Sequence, residues 1–161
     1  MTITYVRGDI LLSRAPVLGF GFNAQGAAEV TPLITACMDR FPAAFAAFRK
    51  QTRAGRIRPG DVWLWREAKP WLALLAVRQN ASGASRPRYV ESVAQTLARD
   101  WRRAGIARIA LARLGEPLEW PMLRSVLDYW LASIPLEVVV YEEHLSGVRV
   151  REPWDDSNPE S

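Results

Sequence analysis

The stretch Ile3 to Asn23, ITYVRGDILLSRAPVLGFGFN, holds the residues best placed to meet a ligand. It reads as a short alternating strand ending in Gly8-Asp9-Ile10, a connector broken at Pro16, and an apolar strand that runs into Asn23. An apolar run of that length between turn residues suits a strand covered on both faces of a sheet. Such a strand delivers its last residues to the crevice at the sheet edge, where open α/β sheets place their ligands. Here those residues are Phe22, Asn23 and, beyond them, Gly26.

Nucleophiles and metal ligands are few. Cys37 is the only cysteine, so no intrachain disulfide is possible, and its spacing with Leu33, Ile34, Met38 and Phe41 makes it a core residue of a helix. His144 is the only histidine. One histidine is too few for a zinc site and allows a catalytic triad or dyad only through itself. Beside Glu142 and Glu143, past the last predicted strand, it reads as a solvated side chain. No metal and no cofactor is expected.

The elements that must position these residues follow from the pattern of prolines, glycines and apolar spacing. Thr31 and Pro32 start a helix, Pro42 a second, Pro87 a third that Gly105 stops, and the region of Pro121 a fourth. Asp61 to Arg66, Trp71 to Val77, Ile106 to Leu114 and Leu136 to Tyr141 read as strands. The order strand, strand, two helices, two strands, helix, strand, helix, strand predicts a single layered α/β domain with a mostly parallel sheet. Trp63, Trp65 and Trp71 read as packing within their strands. From Leu145 onward two prolines, a basic patch and then acids suggest a poorly ordered tail, 145–161.

The chain is basic, with a formal charge of +4 that becomes about +8 once the four carboxylates of the last ten residues are set aside. That balance suits an anionic ligand. Arg53, Arg56 and Arg58 in one loop, and Arg99, Arg102 and Arg103 on one helix, read as solvated faces, because no interleaved aromatics mark a nucleic-acid footprint. No apolar run is long enough to span a membrane and no leader pattern opens the chain, which implies a soluble, cytoplasmic protein.

The segments ITYVRGDILLSRAPVLGFGFNAQG, DRFPAAFAAFRKQTRAGRIRPGDVWLW, SRPRYVESVAQTLARDWRRAGIARIALARLG, LEWPMLRSVLDYWL and LEVVVYEEH resemble, in their order and spacing, the macrodomain. The resemblance is to the branch that includes antitoxin macrodomains removing ADP-ribose from DNA and the terminal ADP-ribose glutamate hydrolases. It implies a three-layer α/β/α macrodomain over residues 1–144 and ADP-ribose, or an ADP-ribosylated protein or nucleic acid, as partner. It also implies that Gly8, Asp9 and Ile10 hold the adenine, where a carboxylate accepts from an exocyclic amine. Asn23 then faces the distal ribose, and Gly26 and Leu114-Gly115 belong to the two loops that wrap the diphosphate.

The departures from that pattern bear on the chemistry. The first phosphate loop reads GAAEVT, one residue longer than in the family, and Glu29 brings a carboxylate toward an anion. The second is shortened to Leu114-Gly115-Glu116-Pro117-Leu118, where Pro117 lacks an amide donor. Arg78 stands where the glutamate hydrolases have a lysine nucleophile, and a guanidinium stays protonated. The aspartate of the second loop is missing, with Glu116 its only nearby substitute as a base, against the plainer reading of a turn residue in solvent. Three functions follow: a binding module for ADP-ribose or a related nucleotide, a hydrolase of ADP-ribosyl linkages, and a non-catalytic interaction module whose cleft is filled by Phe20, Phe22 or Glu29.

Overall fold

The strand Val17–Asn23, VLGFGFN, sets the layering, because its alternation gives the two faces of the sheet different bulk. Leu18, Phe20 and Phe22 point to one face, where Phe22 meets the rings of Phe45 and Phe48 at 5.4 and 5.8 Å. Gly19 and Gly21 point to the other, where a methyl group would lie 2.5 Å from Leu111 and 2.9 Å from Val77. The glycines let those side chains lie flat against the strand. All seven residues are buried.

The computed structural model describes residues 3–157. In chain order the elements are β1 (Ile3–Gly8), β2 (Val17–Asn23), α1 (Pro32–Arg40), α2 (Pro42–Arg53), β3 (Val62–Trp65), β4 (Trp71–Arg78), α3 (Pro87–Ala104), β5 (Arg108–Ala112), α4 (Trp120–Leu131) and β6 (Glu137–His144). Short 3-10 turns at Ile10–Leu12 and Pro153–Ser157 were not foreseen in the sequence. The six strands lie in the order β1-β6-β5-β2-β4-β3, all parallel except the β3 edge. One core, with α3 and α4, covers one face; the other, with α1 and α2, covers the opposite face. The result is a mixed, mostly parallel three-layer α/β/α sandwich.

Element boundaries shift for identifiable reasons. Ile106 does not open a strand: its amide reaches back 2.8 Å to the Trp101 carbonyl and closes α3, while Gly105 takes φ +78°. β6 runs past Tyr141 because Glu143 and His144 pair with Arg7 and Gly8 of β1. Cys37 is fully buried, as its spacing predicts, and burial pushes its thiol up to about 12. No helix among the described residues is long and apolar enough to cross a membrane.

The expectation of a poorly ordered tail does not describe residues 145–155. Trp154 is buried in the core beside α1 and α2, and Glu152 is 1% exposed. Apolar Val150 and Trp154 give the segment something to bury, and Glu152 gives it an anchor of four accepted hydrogen bonds. The expectation for 158–161 lies outside the described residues.

Candidate functional site

Parallel pairing brings the C-terminal ends of β1, β6, β5, β2 and β4 to one edge of the sheet. A cleft of about 1250 Å³ runs across them. Its floor includes Gly8, Phe20, Gly21, Ala112 and Tyr141, and its walls are the 24–31 loop, the loop from Arg78 to Ala84 and the 113–119 loop. Val30 on one wall and Leu118 on another are almost wholly exposed and form apolar lips.

At the end of β2, Asn23 is fully buried and folds its own loop rather than lining the cleft. Its Oδ1 accepts from the amides of Gln25 (3.2 Å) and Ala27 (3.0 Å). Its Nδ2 donates to the Ala27 carbonyl and to Glu29 Oε2, both at 2.8 Å. Gly26 lies beneath the loop at φ +70°, so close to α2 that a methyl group would meet Thr52 Oγ1 at 2.6 Å. Beside it, in register with Asn23 at the end of β4, Arg78 does line the cleft. Its Nη1 donates to Glu29 Oε1 at 2.6 Å and its Nη2 to Ser85 Oγ at 3.1 Å. The carboxylate that the sequence brings toward an anion is thus neutralised by Arg78.

On the opposite wall, Leu114 is a core residue and Gly115 lines the cleft, packed so that a methyl group would lie 2.5 Å from Leu123. Arg113 steadies this loop, donating from Nε to the Gly115 carbonyl (2.8 Å) and from Nη1 to the Glu142 carbonyl (3.1 Å). Glu116 sits exposed on the rim, and its amide donates to Glu119 Oε1 at 2.8 Å.

At the β1 end, Gly8 and Ile10 line the cleft while Asp9 does not. Asp9 caps the first 3-10 turn, with Oδ1 accepting from the Leu11 amide at 3.0 Å. Its Oδ2 accepts from the Gly147 amide at 2.9 Å, and its own amide donates to the Val148 carbonyl at 2.7 Å. Every polar atom of Asp9 named for base recognition is therefore engaged by the chain itself. His144 is not a solvated terminal residue: it lines the cleft with its Nδ1 buried, 3.9 Å from Asp9 Oδ1 and without a hydrogen bond.

Sequence reasoning missed Glu142, which accepts from Trp120 Nε1 (3.0 Å) and Arg124 Nη1 (2.6 Å) at the cleft's far side. The spacing of Trp120 and Arg124 by one helical turn places both on one face of α4, but nothing local points to a strand residue 18 positions on. Arg113 also went unremarked.

Comparison of the sequence with protein-family models and with curated proteins gave no match. Comparison of the structure with solved structures did. The macrodomain of Thermus aquaticus DarG is 22% identical with a TM-score of 0.79, over 87% of this chain and 97% of that one. The macrodomain of Mycobacterium tuberculosis DarG is 22% identical with a TM-score of 0.77, over 86% and 96%. Thermosipho africanus DarTG in complex with ADP-ribose is 19% identical with a TM-score of 0.80, over 94% of this chain and 43% of that one. At these identities the likeness is one of fold.

Proposed function

We propose, from the premise that this chain has the macrodomain fold, that its cleft binds ADP-ribose or a related nucleotide. The observation that carries the proposal is the cleft of about 1250 Å³ across the ends of five strands, large enough for a dinucleotide-sized ligand. A similar structure described as a complex with ADP-ribose supports the choice of ligand. In this reading Gly8, Ile10, Arg78 and Gly115 line the ligand, and Gly26, Leu114 and Asn23 hold the loops that do so. Contact between Asp9 and a base requires the 147–148 backbone to give way first.

The proposal extends to binding and not to turnover. Arg78 is ion-paired, and the Glu116 carboxylate stands on the exposed rim. Isothermal calorimetry with ADP-ribose and with AMP tests it: ADP-ribose is expected to bind in the micromolar range and AMP at least tenfold more weakly, roughly what loss of one charged phosphate contact costs. Absence of heat with both favours the second reading, a non-catalytic interaction module. That reading is supported by the internal engagement of Asp9, Asn23 and Glu29.

A further inference from the structure

Glu29 is held as a ligand would be. One carboxylate oxygen takes a hydrogen bond from Arg78 Nη1 at 2.6 Å and the other from Asn23 Nδ2 at 2.8 Å. Two oxygens of one anion on two different donors is the pattern that a bound carboxylate or phosphoryl group makes. The donors belong to the rigid sheet, where Asn23 and Arg78 are register partners on β2 and β4. Buried Ser85 braces the guanidinium from its other nitrogen, so the cation keeps its place whether or not Glu29 stays. The acceptor, by contrast, comes from the 24–31 loop, which has no regular secondary structure and exposes residues 25, 27, 28, 30 and 31.

We propose that Arg78, braced by Ser85 and flanked by the Asn23 amide that Glu29 now covers, is a seat for an external anionic group, phosphoryl or carboxylate, and that Glu29 is a built-in competitor for it. A ligand takes the seat by displacing the Glu29 side chain and loosening the loop. The exchange selects for charge. The side chains of Arg78 and Glu29 are only 14% and 9% exposed, so parting them leaves a desolvated guanidinium that only another anion compensates. A neutral ligand leaves Glu29 in place. The displaced carboxylate regains water at the mouth of the cleft, so the exchange trades one charge-assisted pair for another. This inference goes beyond nucleotide binding, because the seat requires neither a base nor a ribose.

The test uses pyrophosphate, ADP-ribose and adenosine as calorimetric probes of the whole chain and of Glu29→Gln and Arg78→Gln. With the competitor's charge removed, Glu29→Gln is expected to bind pyrophosphate roughly tenfold more tightly, with adenosine unchanged, while Arg78→Gln loses pyrophosphate binding. Equal or weaker pyrophosphate binding by Glu29→Gln overturns the seat, as does absence of pyrophosphate binding by both proteins that keep Arg78. Should Glu29→Gln not fold, hydrogen exchange on the unaltered chain decides. Saturating pyrophosphate is expected to speed amide exchange at 24–31, and slowed or unchanged exchange there overturns the proposal. The two readings separate cleanly. ADP-ribose binding by the unaltered chain, with pyrophosphate binding no tighter in Glu29→Gln, keeps the nucleotide reading and ends this one, whereas tighter pyrophosphate binding without any ADP-ribose binding does the reverse.

Discussion

Glu152 gathers four donors onto one buried carboxylate: Ser13 Oγ at 2.7 Å, Tyr141 Oη at 2.9 Å, the Arg14 amide at 3.0 Å and Trp154 Nε1 at 3.2 Å. Substitution by alanine removes the carboxylate acceptor from two buried donors, the phenol and the indole, and loss of a buried hydrogen-bond partner costs about 1–3 kcal/mol. Glu152→Ala is therefore expected to lose about 3 kcal/mol in urea unfolding, and a loss within error of zero would show the tail to be incidental. The same contact sets a pH dependence. Burial first, and the Glu152 charge second, raise the Tyr141 phenol well above its ordinary value of 10. Above that pH the unfolded chain releases the proton that the native state keeps, so the stabilisation is complete below about pH 10 and declines as pH rises. Tyr141→Phe should shed part of the alkaline decline measured by urea unfolding between about pH 8 and 11, leaving the share owed to Tyr5, whose phenol is raised by burial and by Asp128.

Among the helices, α3 shows how far local rules carry. Pro87 takes the first turn, Val90, Val93, Ala94 and Leu97 make the buried stripe, and Gly105 ends it in the left-handed region. A methyl group at Gly105 would meet only Trp71, at an ordinary 3.7 Å, so the cost of Gly105→Ala is one of backbone conformation alone. The expected loss is about 1 kcal/mol, read as a lower midpoint of thermal unfolding with the far-ultraviolet spectrum unchanged. The solvated side of the same helix carries Arg99 and Arg103 on either side of Asp100, at 2.9 and 2.7 Å. Loops follow local rules only in part. The 24–31 loop takes its shape from Asn23 and its charge balance from Arg78, the latter 49 residues away.

At the scale of the whole molecule, the cleft is an outcome of strand order. β1 and β6, from opposite ends of the chain, pair in parallel and carry Gly8 and His144 to the same edge. The returning tail then closes over Asp9, from Gly147 and Val148. Because Asp9 serves that closure, Asp9→Asn is expected to lower the melting temperature by several degrees while leaving ADP-ribose affinity within about twofold. A large loss of affinity at unchanged stability would return Asp9 to the base-binding role that the sequence resemblance implies.

Element types, their order, the buried face of each helix and the two-sided burial of β2 were legible in the sequence, since proline, glycine and apolar spacing act over a few residues. Of the residues named from the family resemblance, Gly8, Ile10, Arg78 and Gly115 line the cleft, whereas Phe22, Asn23 and Gly26, named from strand position, do not. What only the tertiary structure decided is which polar groups face the cleft and which face one another. Asp9 meets Gly147 across 138 positions and Arg78 meets Glu29 across 49. A buried polar group must find a partner wherever the fold supplies one, and a partner supplied by a distant segment leaves no trace in local spacing.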